Sequence, residues 1–247
     1  MTKEECCFDK AKTQLQNSPI FSALLEEDKQ KLFNAFSNAK RNSDKTCFPD
    51  FVFDEGFIEH FQVTSSKEGR KGSRLKQKES EFKRNQKSPE ELIAETSPVF
   101  STQFANTYSE EMQSPDFSFE DFQASFKRNW EKHIESLDKY AGKKDVGIFL
   151  IEYTDVCMFR ENTPANPYHL YLDKTLLLYV YAFRDKISFV VFSHFDKCET
   201  ICVRNIPEII KTYSSYEETK WQTGSLHKVN IVLDINFDVI KKNGLIS

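Results

Sequence analysis

The sequence predicts an α/β fold, a mixed central β-sheet flanked by helices, and three observations carry that prediction. VGIFLIEY at 146–153 is an uninterrupted apolar run of the kind that forms a strand buried on both faces. SFEDFQASFKRNWEKHIESLDKY places Phe119, Phe122, Phe126, Trp130, Ile134, Leu137 and Tyr140 at three- and four-residue steps, the period of an amphipathic helix. Helical and strand-like segments also alternate along the whole chain.

Residues 3 to 40 read as two helices. The second is expected to open at SPIF, where Ser18 can cap and Pro19 suits the first turn, with Glu26, Glu27 and Asp28 as solvated acids. Phe48–Phe53 and Phe57–Val63 are two strand-like runs joined by a DEG turn, in which Gly56 can supply a positive φ. Strand alternation puts Phe57, Glu59, Phe61 and Val63 on one face and Ile58, His60, Gln62 and Thr64 on the other. Glu59 therefore sits among aromatics, a costly place for a carboxylate unless a cation compensates.

A basic segment at about 65–90 follows, then a Ser/Thr/Pro-containing stretch at about 95–118 with no clear period, read as an insertion or lid. The long helix runs from its Ser118/Asp121 capping box to the break near Gly142. After the 146–153 strand come a loop to Pro167, a helix at about 169–184, a hairpin of ISFVVFSHF and TICVRNI, a short helix near Pro207–Lys211, and a last strand, HKVNIVLDI. The expectation is one α/β domain over 1–247 carrying the two irregular segments.

Of the 247 residues 39% are hydrophobic, a level that favours a folded chain over a disordered one. The net charge of −4 argues against a wholly basic nucleic-acid coat, yet nine Lys/Arg face three Glu between Lys67 and Lys87, so polyanion contact is to be sought there. The six cysteines have no zinc-finger spacing and read as reduced, mostly structural thiols of a cytoplasmic protein. Neither a secretory h-region nor an apolar run of membrane-spanning length is present, so a soluble protein with no membrane partner is expected. GxGxxG, P-loop, GxSxG and HExxH motifs are absent too.

Clustered carboxylates suit Mg²⁺ or Mn²⁺, and antiparallel strands on a short turn can bring Asp50 and Glu59 to one ion. His60 reads either as a proton-transfer or metal group or as a hydrogen-bonded sheet histidine. Glu152 and Asp155, at the end of the 146–153 strand, can add a ligand or simply face water.

PDF on one strand and IEHF on the next resemble the PD-(D/E)XK nuclease superfamily, and IEHF followed by RKGSRLK resembles a bacterial branch of such proteins, over roughly residues 20 to 155. The resemblance implies a restriction-endonuclease-like core and metal-dependent DNA hydrolysis in defence or a mobile element. Pro49 and Asp50 match the PD, and Glu59 matches the second acid. It implies Asp50 and Glu59 as metal ligands, to which Glu152 at its strand end can add a third, and the charge of the basic segment makes Arg70, Lys71, Arg74, Lys76 and Lys78 the expected nucleic-acid contacts. The motif lysine is missing, since Phe61 stands two residues after Glu59. Lys67 or Lys71 replaces it, or His60 and Gln62 act from the other face, or catalysis is lost. The alternatives to a nuclease, acting as a monomer or a homodimer, are an inactive nucleic-acid-binding relative and a protein-interaction module in which Glu59 is a paired structural acid.

Overall fold

The computed structural model describes residues 2–17, 21–22, 25–44, 47–66, 80–81, 84, 105–114, 117–161, 163–194, 197–213, 220–224 and 226–235. They fall into two compact units, Met1–Ser65 with Ser118–Gly224, and Ser66–Phe117 with Ser225–Ser247.

The first unit is built on a mixed seven-stranded sheet. Its strands are β1 (Phe21–Ser22), β2 (Lys40–Arg41), β3 (Phe51–Phe53), β4 (Gly56–Gln62), β6 (Val146–Tyr153), β9 (Phe189–His194) and β10 (Lys197–Cys202), in the order β1-β10-β9-β6-β4-β3-β2. β4, β6 and β9 are parallel neighbours, so the apolar run at 146–153 is central, as its composition predicts.

Helices α1 (Lys3–Asn17) and α2 (Glu26–Asn38) cover one face, packing Cys7, Phe8, Ala11, Leu32 and Phe36 with Ile58, Leu150 and Val191. The other face carries α3 (Phe119–Lys139), α4 (Lys174–Tyr181) and α5 (Ile206–Tyr213), whose Phe122, Trp130, Leu176 and Ile209 share a core with Phe57, Phe61 and Phe149. α3 starts where its capping box predicts, with the Asp121 N–H donating to Ser118 Oγ at 3.1 Å.

Several sequence expectations are corrected. The second helix begins at Glu26 rather than at SPIF, because Phe21–Ser22 pairs with Glu199 and Thr200 at the sheet edge. Asp28 is fully buried and paired with Arg204, so it is no solvated first-turn acid. Gly56 is needed for a close approach rather than a positive φ: a Cβ there would lie 1.9 Å from the Val146 carbonyl oxygen.

The loop expected before Pro167 contains β7 (Met158–Arg160) and β8 (Thr163–Pro167), which form a small sheet with β11 (Trp221–Thr223). In the second unit, β5 (Ala105–Ser114) pairs antiparallel with β12 (Leu226–Ile235). Part of the expected insertion is thus a strand, and HKVNIVLDI pairs with it instead of completing the central sheet. Apolar alternation marks a strand but not its partner. Among the described residues no helix is long and apolar enough to cross a membrane.

Candidate metal centre

β4 divides the predicted site between the two faces of the sheet. Its face towards α3 carries Glu59, whose Oε1 lies 2.6 Å from His133 Nδ1, with the His133 ring stacked on Phe61 at 4.6 Å. Glu59 Oε2 accepts the Asp50 main-chain N–H at 2.9 Å, and Asp50 Oδ2 accepts the His60 main-chain N–H at 2.9 Å. The two carboxylates do converge, but each is engaged in holding the start of β3 against β4. Burial raises the Glu59 carboxyl above its ordinary range, and the His133 hydrogen bond opposes that shift.

The face towards α1 carries the other group. Parallel pairing sets Gln62 beside Glu152 and Glu152 beside Ser193, and the β9–β10 hairpin adds Cys198, so these four residues form one row across four strands. His60 precedes Gln62 by one pleat on the same face. Its buried Nε2 lies 3.3 Å from Glu152 Oε2, within ion-pair reach though poorly aligned for a hydrogen bond. Gln62 donates its side-chain N–H to Glu152 Oε2 and so orients the carboxylate.

α1 lowers Cys7 onto this row. One ligand atom each from Cys7, His60 and Glu152 lies within 4.8 Å of the others, a candidate metal-binding group. Burial, reinforced by the Glu152 charge, pushes the Cys7 thiol up to about 12. Glu152 is held below the ordinary carboxylate range by the His60 imidazole first, and by the Gln62 amide after the opposing effect of burial. An imidazole nitrogen, a carboxylate and a thiol that a cation would deprotonate make a mixed N/O/S donor set. Such a set would suit a borderline ion such as Zn²⁺ better than the oxygen-seeking Mg²⁺, and an ion held by these three residues would keep room for a water to be activated.

The metal set anticipated from the sequence is therefore not brought together as a whole. Glu152 faces α1 with His60 and Gln62, while Glu59 faces α3. Asp155 lies apart from both, accepting from the Ser65 N–H at 2.8 Å and from the Thr64 hydroxyl. Lys67, Arg70, Lys71, Arg74, Lys76 and Lys78 lie outside the described residues. Sequence reasoning missed Cys7 and His133. Cys7 had no Cys or His at a metal-ligand spacing such as CxxC to signal it, whereas the aromatic setting inferred for Glu59 did demand a compensating partner, the place His133 takes.

Fold and site together define an α/β protein with a candidate metal centre at the carboxyl ends of its parallel strands, where ligands gather in open α/β sheets. Neither protein-family models, curated proteins nor solved structures match the chain.

Proposed function

We propose that this protein is a metal-dependent hydrolase whose ion is held by Cys7, His60 and Glu152. The observation that carries the reading is that Cys7, His60 and Glu152 bring one ligand atom each within 4.8 Å of the others in the buried layer under α1. The room kept for a water supports hydrolytic chemistry, with Gln62 fixing the Glu152 carboxylate. The donor set favours Zn²⁺ over the Mg²⁺ or Mn²⁺ anticipated from carboxylates alone.

Nucleic acid, as DNA, is the substrate class proposed, from the PD-(D/E)XK resemblance and from the net positive stretch that starts five residues after Gln62. The six free cysteines suit a reducing compartment such as the cytoplasm.

A second reading is favoured by the main-chain hydrogen bonds of Asp50 and Glu59. Both acids serve structural roles, as they would in a catalytically inactive nucleic-acid-binding or protein-interaction module of the same fold.

One experiment separates the two. Purified protein is assayed for bound metal and for cleavage of circular DNA, linear DNA and RNA with Zn²⁺, Mn²⁺, Mg²⁺ or EDTA, alongside His60→Ala and Glu152→Gln. Zinc-dependent cutting lost in both variants is the expected result. Metal-free protein that binds nucleic acid without cutting it selects the second reading.

A further inference from the structure

We propose that Asp50 is the positioning residue of the candidate metal centre: its carboxylate takes the place of the strand partner that β4 lacks beside His60, and so sets how the His60 ring meets the ion. The inference rests on the metal reading above and assigns a part to an acid that is not one of the three ligands. Among the described residues the ligand atoms within 4.8 Å of one another come from Cys7, His60 and Glu152, without Asp50.

β4 is longer than the strand beside it. β6 accompanies it as far as Gln62, whereas its pairing with β3 stops at Ile58, opposite Phe51. Continued by two residues, the β3 register would set Pro49 opposite His60, and a proline has no N–H to give to a ladder. The Pro49 carbonyl is directed elsewhere, accepting the Asn42 side-chain amide at 2.9 Å. The strand beside His60 therefore provides no main-chain acceptor for the His60 N–H. His60 is buried, and a buried amide without an acceptor is costly. Asp50 Oδ2 fills that place at 2.9 Å.

The carboxylate can serve as a fixed point because Asp50 is itself held. Its N–H donates to Glu59 Oε2 at 2.9 Å, and its carbonyl accepts the Asn42 main-chain N–H at 2.8 Å. Both neighbours are anchored in turn: Asn42 directly follows β2, which pairs with β3, and Glu59 Oε1 lies 2.6 Å from His133 Nδ1. A carboxylate also makes a stronger bond to a main-chain N–H than a neutral acceptor does. With β6 along the opposite edge, β4 is held on both sides at the residue that carries the imidazole.

For a metal this amounts to preorganisation. The His60 ring meets Glu152 and Cys7 on the α1 face, and a main chain free to tilt at residue 60 would carry Nε2 away from the other two donors. Groups one step behind a ligand commonly change metal affinity by about ten- to a hundredfold, and a single main-chain contact belongs at the lower end.

The test compares parent, Asp50→Ala and Asp50→Asn, each shown to be folded by circular dichroism. Asp50→Ser, too short to reach the His60 N–H, serves the same purpose if Asp50→Ala does not fold. Zinc affinity is measured by competition with a chromophoric chelator, and the visible bands of the cobalt-substituted protein report ligand geometry. The carbon–proton signal of the His60 ring in metal-free protein, assigned by its loss in His60→Ala, reports ring placement without any ion. Asp50→Ala is expected to weaken zinc binding about tenfold, to shift the cobalt bands and to move the ring signal. Asp50→Asn, whose side-chain oxygen can still accept the His60 N–H, should keep all three at the parental values. A parent that takes up no metal, with a ring signal moved by Asp50→Ala and kept by Asp50→Asn, would support the positioning role and sink the metal reading instead. Equal zinc affinity and ring signal in Asp50→Ala and parent overturn the proposal. So does an Asp50→Asn variant as impaired as Asp50→Ala, which would mean that the charge of Asp50 acts on the centre directly.

Discussion

Glu59 and His60 are adjacent in sequence yet serve opposite faces of the sheet: Glu59 Oε1 is 2.6 Å from His133 Nδ1, and His60 Nε2 is 3.3 Å from Glu152 Oε2. One strand therefore supplies a structural carboxylate to one layer and a candidate ligand to the other, and the two roles can be separated by mutation.

Glu59→Ala should lower stability by about 2–3 kcal/mol, because it leaves the half-buried His133 ring nitrogen and the Asp50 N–H without their acceptor. Metal content should stay at the parental level. Urea melts and metal determination on the same preparation check both, and loss of metal in Glu59→Ala would place the ion on the α3 side.

His194 provides a pH signature. Burial lowers its imidazole from 6.5 to about 4. Between those values the unfolded chain binds a proton that the folded chain refuses, so this contribution to stability is intact above pH 6.5 and falls as pH drops towards 4. The slope reaches at most about 1.4 kcal/mol per pH unit. His194→Gln should flatten the pH dependence of the unfolding midpoint across that window; an unchanged slope would assign it to other groups.

Thiol labelling should divide the cysteines into two classes. Cys6, Cys47 and Cys157 are exposed, and Cys7, Cys198 and Cys202 are buried with thiols that burial raises. Near neutral pH the first three should react with a disulfide reagent quickly and the others only as the protein unfolds. Mass spectrometry of briefly labelled protein reads this directly, and early modification of Cys7 would contradict its burial under α1.

Gly56→Ala should cost about 3 kcal/mol, at the upper end for overpacking, because the added methyl meets main-chain atoms of Val146 that no rotamer change can move. Thermal melts of the variant check this, and a melting point within a degree of the parent would mean that β4 and β6 can separate there.

What could be read from the sequence followed from repetition. The β6 run and the α3 stripe declare themselves over many residues, and the alternation on β4 correctly sorts Phe57, Glu59 and Phe61 from Ile58, His60 and Gln62. Pairing was less legible, since nothing local tells Phe21–Ser22 to join Glu199–Thr200 or Ala105–Ser114 to join Leu226–Ile235. The candidate centre was half legible. His60 and Glu152 drew attention as polar groups in apolar strands, but Cys7 looks like an ordinary residue of a first helix until the sheet beneath it is known.

That Cys7 belongs to the first helix, while Glu152 lies on a strand made much later, has a bearing on biosynthesis. Domains emerge from the ribosome amino-end first. The nascent chain would offer an ion the thiol, then the imidazole, and only after α3 has been synthesised the carboxylate. Full affinity thus arrives with the pairing of β4 and β6, and metal uptake would report that this first parallel pair has formed before β9 and β10 are added.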